Sequence, residues 1–152
     1  MQPNLLDIFK NHVLMNALLA WLVAQLIKVP LDFIITRKWN WALLLSVGGM
    51  PSSHSTLVTS IAVGTGLYNG FDSAAFAIAA AIAMVVVYDA TGIRRQAGIH
   101  AAKINVLVEE LLAGHPISDK KLLEVLGHTP REAAAGVMWG TLCAVLFWMW
   151  FK

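Results

Sequence analysis

The sequence predicts an all-α integral membrane protein: a compact bundle of about four transmembrane helices with a re-entrant segment and a surface amphipathic helical hairpin. Three observations carry this. Of the 152 residues, 58% are hydrophobic and only 13% are charged, where a soluble domain carries about 25% charged residues. Mean hydropathy is +0.67. No Asp, Glu, Lys or Arg occurs between Trp39 and Phe71. A chain this small cannot hide so much apolar surface from water. Residues 1–152 read as a single membrane-embedded domain, with an amphipathic insertion at about 95–127.

The spans are expected at about Val13–Ile27, Ser55–Tyr68, Ser73–Tyr88 and Ala133–Phe151. Several fall short of the roughly 20 residues a bilayer requires. The last ends in "FWMWFK", an aromatic anchor followed by a lysine. "YNGFD" (Tyr68–Asp72) is a tight turn that makes the second and third spans a helical hairpin. "WNWALLLSVGG" (Trp39–Gly49) is too short to cross and reads as re-entrant. Such backbone is tolerated only against protein or a water-filled cavity.

Beyond Arg95 the chain turns polar. Ile104, Leu107, Val108, Leu111 and Leu112 recur at helical spacing, with Lys103, Glu109 and Glu110 on other faces. Gly114 is expected to end this helix, and Ser118 to cap a second that stops at Gly127. The pair lies on the membrane surface or covers a site.

Four spans place Lys28–Ser53 and Tyr88–Glu132 on one side. That side carries Lys28, Arg37, Lys38, Arg94, Arg95, Lys103, Lys120, Lys121 and Arg131, and the other carries Lys10 and Lys152. The asymmetry predicts that the cationic side faces the cytoplasm of a cell, expected to be bacterial, whose plasma membrane holds the protein. Net charge is +2, which gives no reason to expect a nucleic-acid partner. The lone Cys143 excludes an internal disulfide and a thiolate metal site. The N-terminus has no basic region before its first apolar run, so no removable signal peptide is expected.

Three polar clusters meet on the cationic side. In "MPSSHS" (Met50–Ser55), Pro51 suits the opening of a helix. Unpaired N–H groups there, with Ser52 and Ser53, form an anion site beside His54, or the serines simply cap the helix. In "YDATGIRRQAG" (Tyr88–Gly98), Arg94 and Arg95 serve either as lipid-headgroup anchors or as a guanidinium clamp on phosphate, with Asp89 orienting or pairing with one of them. In "LGHTPREAAAG" (Leu126–Gly136), Thr129 and Glu132 form a capping-box pattern. Glu132 also lies one helical turn from His128, where a carboxylate holds an imidazole in one tautomer and makes it a nucleophile. An anion site, two arginines and two histidines are the parts of a phosphoryl transfer without a metal. One histidine attacks phosphorus and the other protonates the leaving alkoxide.

On these residues the chain resembles the divergent branch of the type 2 phosphatidic acid phosphatase superfamily, relatives of the vanadium-dependent haloperoxidases. The superfamily's motifs are Lys-x6-Arg-Pro, Pro-Ser-Gly-His and Ser-Arg-x5-His-x3-Asp. "PSSH" (Pro51–His54) resembles the second, with Ser53 in place of glycine. The resemblance implies His54 as general acid, with Ser52 and nearby backbone holding phosphate. Arg94 and His100 satisfy Arg-x5-His, but Ile104 stands where the acid belongs. His128-x3-Glu132-x3-Gly136 matches the motif's second half, with glutamate for aspartate. The third motif therefore reads as split by the amphipathic insertion: Arg94 before it, His128 as nucleophile and Glu132 as orienter after it, with His100 and Asp89 in supporting roles. In the degraded first motif, Lys28 precedes Arg37 by nine positions and is the better phosphate contact, or else a lysine reaching for the interface.

The resemblance implies a metal-independent phosphatase, without cofactor, acting on a lipid phosphate. Phosphatidylglycerophosphate is the first expectation. An isoprenoid (undecaprenyl) diphosphate is the alternative, and a non-catalytic lipid-binding protein with a relic site is the rival class. Four short spans offer little protein with which to bury a polar site, so a homo-oligomer is a candidate assembly.

Overall fold

A computed structural model describes residues 4–45, 48–111 and 128–152, and their side chains except those of residues 93–95 and 110. Five α-helices follow in order: α1 (His12–Thr36), α2 (Ser53–Asn69), α3 (Ala74–Thr91), α4 (Ile93–Leu111) and α5 (Pro130–Phe151). Short 3-10 helices lie at Leu5–Lys10 and Trp41–Leu45. No strand occurs among the described residues.

The distribution of side chains is that of a membrane bundle. Large apolar residues such as Leu18, Leu22, Leu26, Ile78, Met84, Val85, Met138 and Leu146 are exposed. The interior is small or polar: Ala17, Ala20, Ala24, Ala62 and Ala144 beside Asn16, Ser55, Thr56 and Ser60. Lipid tails are as apolar as leucine, so helices in a bilayer associate through close packing and hydrogen bonds, not by hiding leucine. Among the described residues, three helical stretches are long and apolar enough to cross a membrane: His12–Thr36, Ala74–Glu109 (which contains α3), and Pro130–Phe151. The second expected span is α2, of 17 residues. It is about 26 Å long at 1.5 Å per residue and packs against α1, α3 and α5.

The contact between α2 and α5 explains the small residues. A methyl at Gly136 would strike the Ser52 carbonyl and stand 2.9 Å from Ser55 Cβ. One at Gly140 would stand 2.5 Å from the Thr56 carbonyl oxygen. Both series advance by four residues in the same sense, so the two helices run parallel with their backbones touching. The Thr56 hydroxyl donates within this seam to Ser52 O at 2.9 Å and to Gly136 O at 3.2 Å. Further along α2, Asn16 of α1 donates to Ser60 Oγ across 2.9 Å. At the far end His12 stacks on Tyr68 with ring centroids 5.6 Å apart, and Phe151 closes over it at 5.8 Å. Hence the starts of α2 and α5 and the ends of α1 and α3 share the opposite end.

One expectation needs correction. The first span was expected to close at Ile27, with Lys28 as its polar end. Instead α1 runs on through Pro30 to Thr36, and Arg37 caps it with left-handed backbone (φ 58). The charge at Lys28 does not mark an interface, because the side chain is 2% exposed inside the bundle. The amphipathic stripe of α4 lies on the outside of the bundle. Ile104, Leu107, Val108 and Leu111 are exposed, while Ala101 and Asn105 are buried. The expected second arm of that hairpin, with Leu112, Gly114, Ser118 and Gly127, lies outside the described residues.

Trp41–Leu45 packs on α1, held by the Gln25 amide, which donates to Leu44 O at 2.7 Å. Trp39 stacks between Phe33 and Trp41, at 4.4 and 5.5 Å.

Candidate active site

The loop before α2 and the loop before α5 are stitched together. Ser52 caps α2, its hydroxyl accepting from Ser55 N at 3.3 Å and from Ser55 Oγ at 3.0 Å. The Ser52 N–H donates to Glu132 O at 3.0 Å. The Ser53 hydroxyl donates to Gln25 Oε1 of α1. Both serines are buried, and these hydroxyls are engaged in the framework. Gly49, at φ +88, takes the left-handed backbone that favours glycine, and a methyl there would meet Lys28 Cδ at 3.7 Å. The lysine stem thus passes beside the loop that delivers "PSSH".

The start of α5 is a complete capping box. Glu132 N donates to Thr129 Oγ1 at 3.3 Å, and Thr129 N donates to Glu132 Oε2 at 2.8 Å. That carboxylate oxygen also lies 3.4 Å from His128 Nδ1. The carboxylate that completes the cap is therefore also the one beside His128. His128 is anchored by its own N–H, which donates to Ala90 O at the end of α3 at 2.9 Å. Its ring is 2% exposed, and neither ring nitrogen makes a hydrogen bond among the described residues.

The His54 and His128 rings face each other, centroids 6.2 Å apart and tilted by 56°. Burial lowers the pKa of His128 below the ordinary imidazole value. Glu132 opposes that shift, while the charges of Lys28 and His54 add to it. Residues from four elements therefore converge: Lys28 of α1, His54 of α2, His128 with Ala90 of α3, and Glu132 of α5. The arrangement offers a buried neutral imidazole with a carboxylate on one nitrogen, a second imidazole across from it, and a buried ammonium.

Other expected residues are placed differently. His100 is exposed on α4, which packs on α3 and on no other described helix. Asp89 is half-buried, one residue before the carbonyl that holds His128. Arg94 and Arg95 fall in the first turn of α4, and their side chains lie outside the description. Among the described residues no group of three His, Cys, Asp or Glu side chains forms a metal-binding cluster. Sequence reasoning missed Thr56 and Gly140. The Gly136-x-x-x-Gly140 spacing was the available signal for the seam.

Residues 9–143 match the divergent PAP2 family. The chain belongs to that family. A relative of this divergent PAP2 protein is the uncharacterized membrane protein YuiD of Bacillus subtilis, 40% identical over 157 residues that cover 96% of this chain and 99% of that one. No solved structure matches the divergent PAP2 chain. The family match includes Lys28, His54, Ala90, His128 and Glu132, so the whole convergence falls inside the matched region.

Proposed function

We propose that the protein is a membrane lipid phosphatase that hydrolyses a lipid phosphate monoester through a phosphohistidine on His128. The observation that carries this reading is the His54–His128 pair, 6.2 Å apart, with Glu132 on one side of it. Glu132 at Nδ1 keeps the proton there and leaves the Nε2 lone pair for attack. Nε2 bonds to phosphorus, and the bond from phosphorus to the lipid oxygen breaks with its electron pair on that oxygen. His54 gives the alkoxide a proton and the lipid alcohol leaves. Water then attacks the phosphohistidine, losing a proton to His54. The P–N bond breaks with its pair on Nε2, and inorganic phosphate departs. Lys28 and the arginines balance charge on the equatorial oxygens. Ser52 and Ser53 act mainly by holding the loop, since their hydroxyls are already engaged.

The cation bias favours a cytoplasmic site in a bacterial plasma membrane, and with it phosphatidylglycerophosphate as substrate over an undecaprenyl diphosphate. A panel of these two and phosphatidic acid, assayed for phosphate release in detergent, tests the reading. Release that disappears in His128→Ala and His54→Ala supports it. No release from any lipid phosphate favours the non-catalytic, lipid-binding alternative. Sidedness is tested with Lys38→Cys, an exposed position just past α1, on a Cys143→Ser background. Labelling by an impermeant maleimide from outside the cell overturns the cytoplasmic placement.

A further inference from the structure

The seam between α2 and α3 opens into an apolar groove of about 380 Å³, lined by Val58, Ile61, Ala75, Ile78, Ala79 and Ile82. Its position relative to the catalytic pair is fixed by helical spacing. Val58 and Ile61 follow His54 at i+4 and i+7, so all three share one face of α2. Ile82, Ile78 and Ala75 precede Asp89 by 7, 11 and 14 residues on one face of α3. Both walls therefore lead up to polar residues at the site end. Val58 lies about 6 Å below His54, and Ala79 about 15 Å below Asp89, at 1.5 Å per residue. Ala75 and Ala79, one turn apart, make the notch, because neither fills the space between the isoleucines.

We propose that this groove holds the hydrocarbon tail of the lipid phosphate whose headgroup reacts at His54 and His128. The proposal rests on the phosphatase reading for the headgroup and adds the path of the tail. A lipid phosphate joins a charged head to an apolar chain, and the groove begins at Val58, one helical turn below His54, and has no polar residue in its lining. A second groove, of about 440 Å³ between α1 and α5, ends at Val23 and Cys143. On α5 its first lining residue, Cys143, is about 16 Å below Glu132, against about 6 Å for Val58 below His54, at 1.5 Å per residue, and its lining includes the amide of Asn16. The tail gains little from leaving lipid for an equally apolar groove. Its role is to align the head, and its loss is felt as misplacement of phosphorus against Nε2.

Ala79→Trp fills the α2–α3 groove, Ala75→Phe fills it less, and Cys143→Trp fills the other. Kinetics are compared on dioleoyl and dibutanoyl phosphatidic acid, the second with tails too short to reach Ala79. Ala79→Trp is expected to lower kcat/KM for the dioleoyl lipid about tenfold or more and to spare the dibutanoyl lipid. Ala75→Phe gives the same selectivity with a smaller loss, and Cys143→Trp gives none. Equal losses on both lipids, no loss in Ala79→Trp, or selective loss in Cys143→Trp overturn the proposal. A second measurement separates it from the headgroup chemistry. The His128→Ala protein is photolysed with a phosphatidic acid carrying a diazirine at mid-tail. Adducts on Val58–Ile61 or Ile78–Ile82 support the groove even if no phosphate is released by wild type. Adducts spread evenly over α1, α3 and α5 overturn it.

Discussion

The Ser52 N–H donates to the Glu132 carbonyl across 3.0 Å. The bond joins the loop that delivers one histidine to the helix turn that orients the other. It forms only because α2 and α5 touch at Gly136, where a side chain would collide with Ser52. Gly136→Val should therefore cost about 1–3 kcal/mol of stability through overpacking and lower activity further by parting the two loops. In Gly66→Ala the nearest atoms to the new methyl belong to the Phe71 ring, a side chain that can swing aside, so the change should cost less. Thermal midpoints in detergent, read beside phosphate release, check the order.

The facing histidines predict unequal alanine variants. His128→Ala should lower phosphate release about a thousandfold or more, and His54→Ala about a hundredfold or more, as losses of nucleophile and general acid. His100→Ala, altering an exposed residue on α4, should stay near wild type. Denaturing gels of enzyme quenched with labelled lipid phosphate should show an acid-labile phosphoenzyme that His128→Ala lacks. Loss of activity in His100→Ala with an active His128→Ala would reverse the assignment.

The depressed pKa of His128 predicts the acid limb of the pH–rate profile. In the proposed mechanism the neutral imidazole attacks, so activity should persist as pH falls through the ordinary histidine value of about 6.5 and drop only below it. The variants separate the causes. Glu132→Gln removes the charge that raises the pKa and should move the limb to lower pH. Lys28→Met removes a charge that lowers it and should move the limb to higher pH. Shifts of the same sign in both would contradict the arrangement of charges.

Lys28→Met also removes the buried ammonium while keeping most of the stem beside Gly49. The KM for a lipid phosphate should rise about tenfold, the loss of one charge-assisted contact. A retained KM, measured in detergent micelles, would return Lys28 to a purely structural role.

Asn16 supplies the control. Its hydrogen bond to Ser60 is buried at mid-helix, away from the histidines. Asn16→Ala should cost about 0.6–2 kcal/mol, the range for such bonds between membrane helices, and leave kcat and the pH profile unchanged. The thermal midpoint and one pH series decide it.

Much of this was legible in the sequence. The helices around Val13, Ser55, Ser73 and Ala133 follow from apolar runs, and the Tyr68–Asp72 turn from its glycine. The pairing of His128 with Glu132 follows from one-turn spacing. What was not legible depends on tertiary context. A lysine followed by Pro30 ordinarily marks a helix end, but Lys28 points into a bundle where Glu132 provides an opposite charge, and α1 continues. For Ser52 and Ser53 the sequence leaves open both purposes of a hydroxyl residue at a helix start, capping and phosphate binding. Only the positions of Gln25 and Ser55, at opposite ends of chain separation, show their engagement. The stripe of α4 fixed a helix but not which face meets the bundle.

The parallel packing of α2 and α5 has an electrostatic consequence. Each helix carries a macrodipole equivalent to about half a positive charge at its start. Setting two starts side by side, next to a buried ammonium, concentrates positive potential that the single Glu132 carboxylate offsets only in part. An oxyanion seated there relieves it. Substrate affinity and fold stability are then one linked quantity, so phosphate or vanadate should raise the melting temperature as it binds.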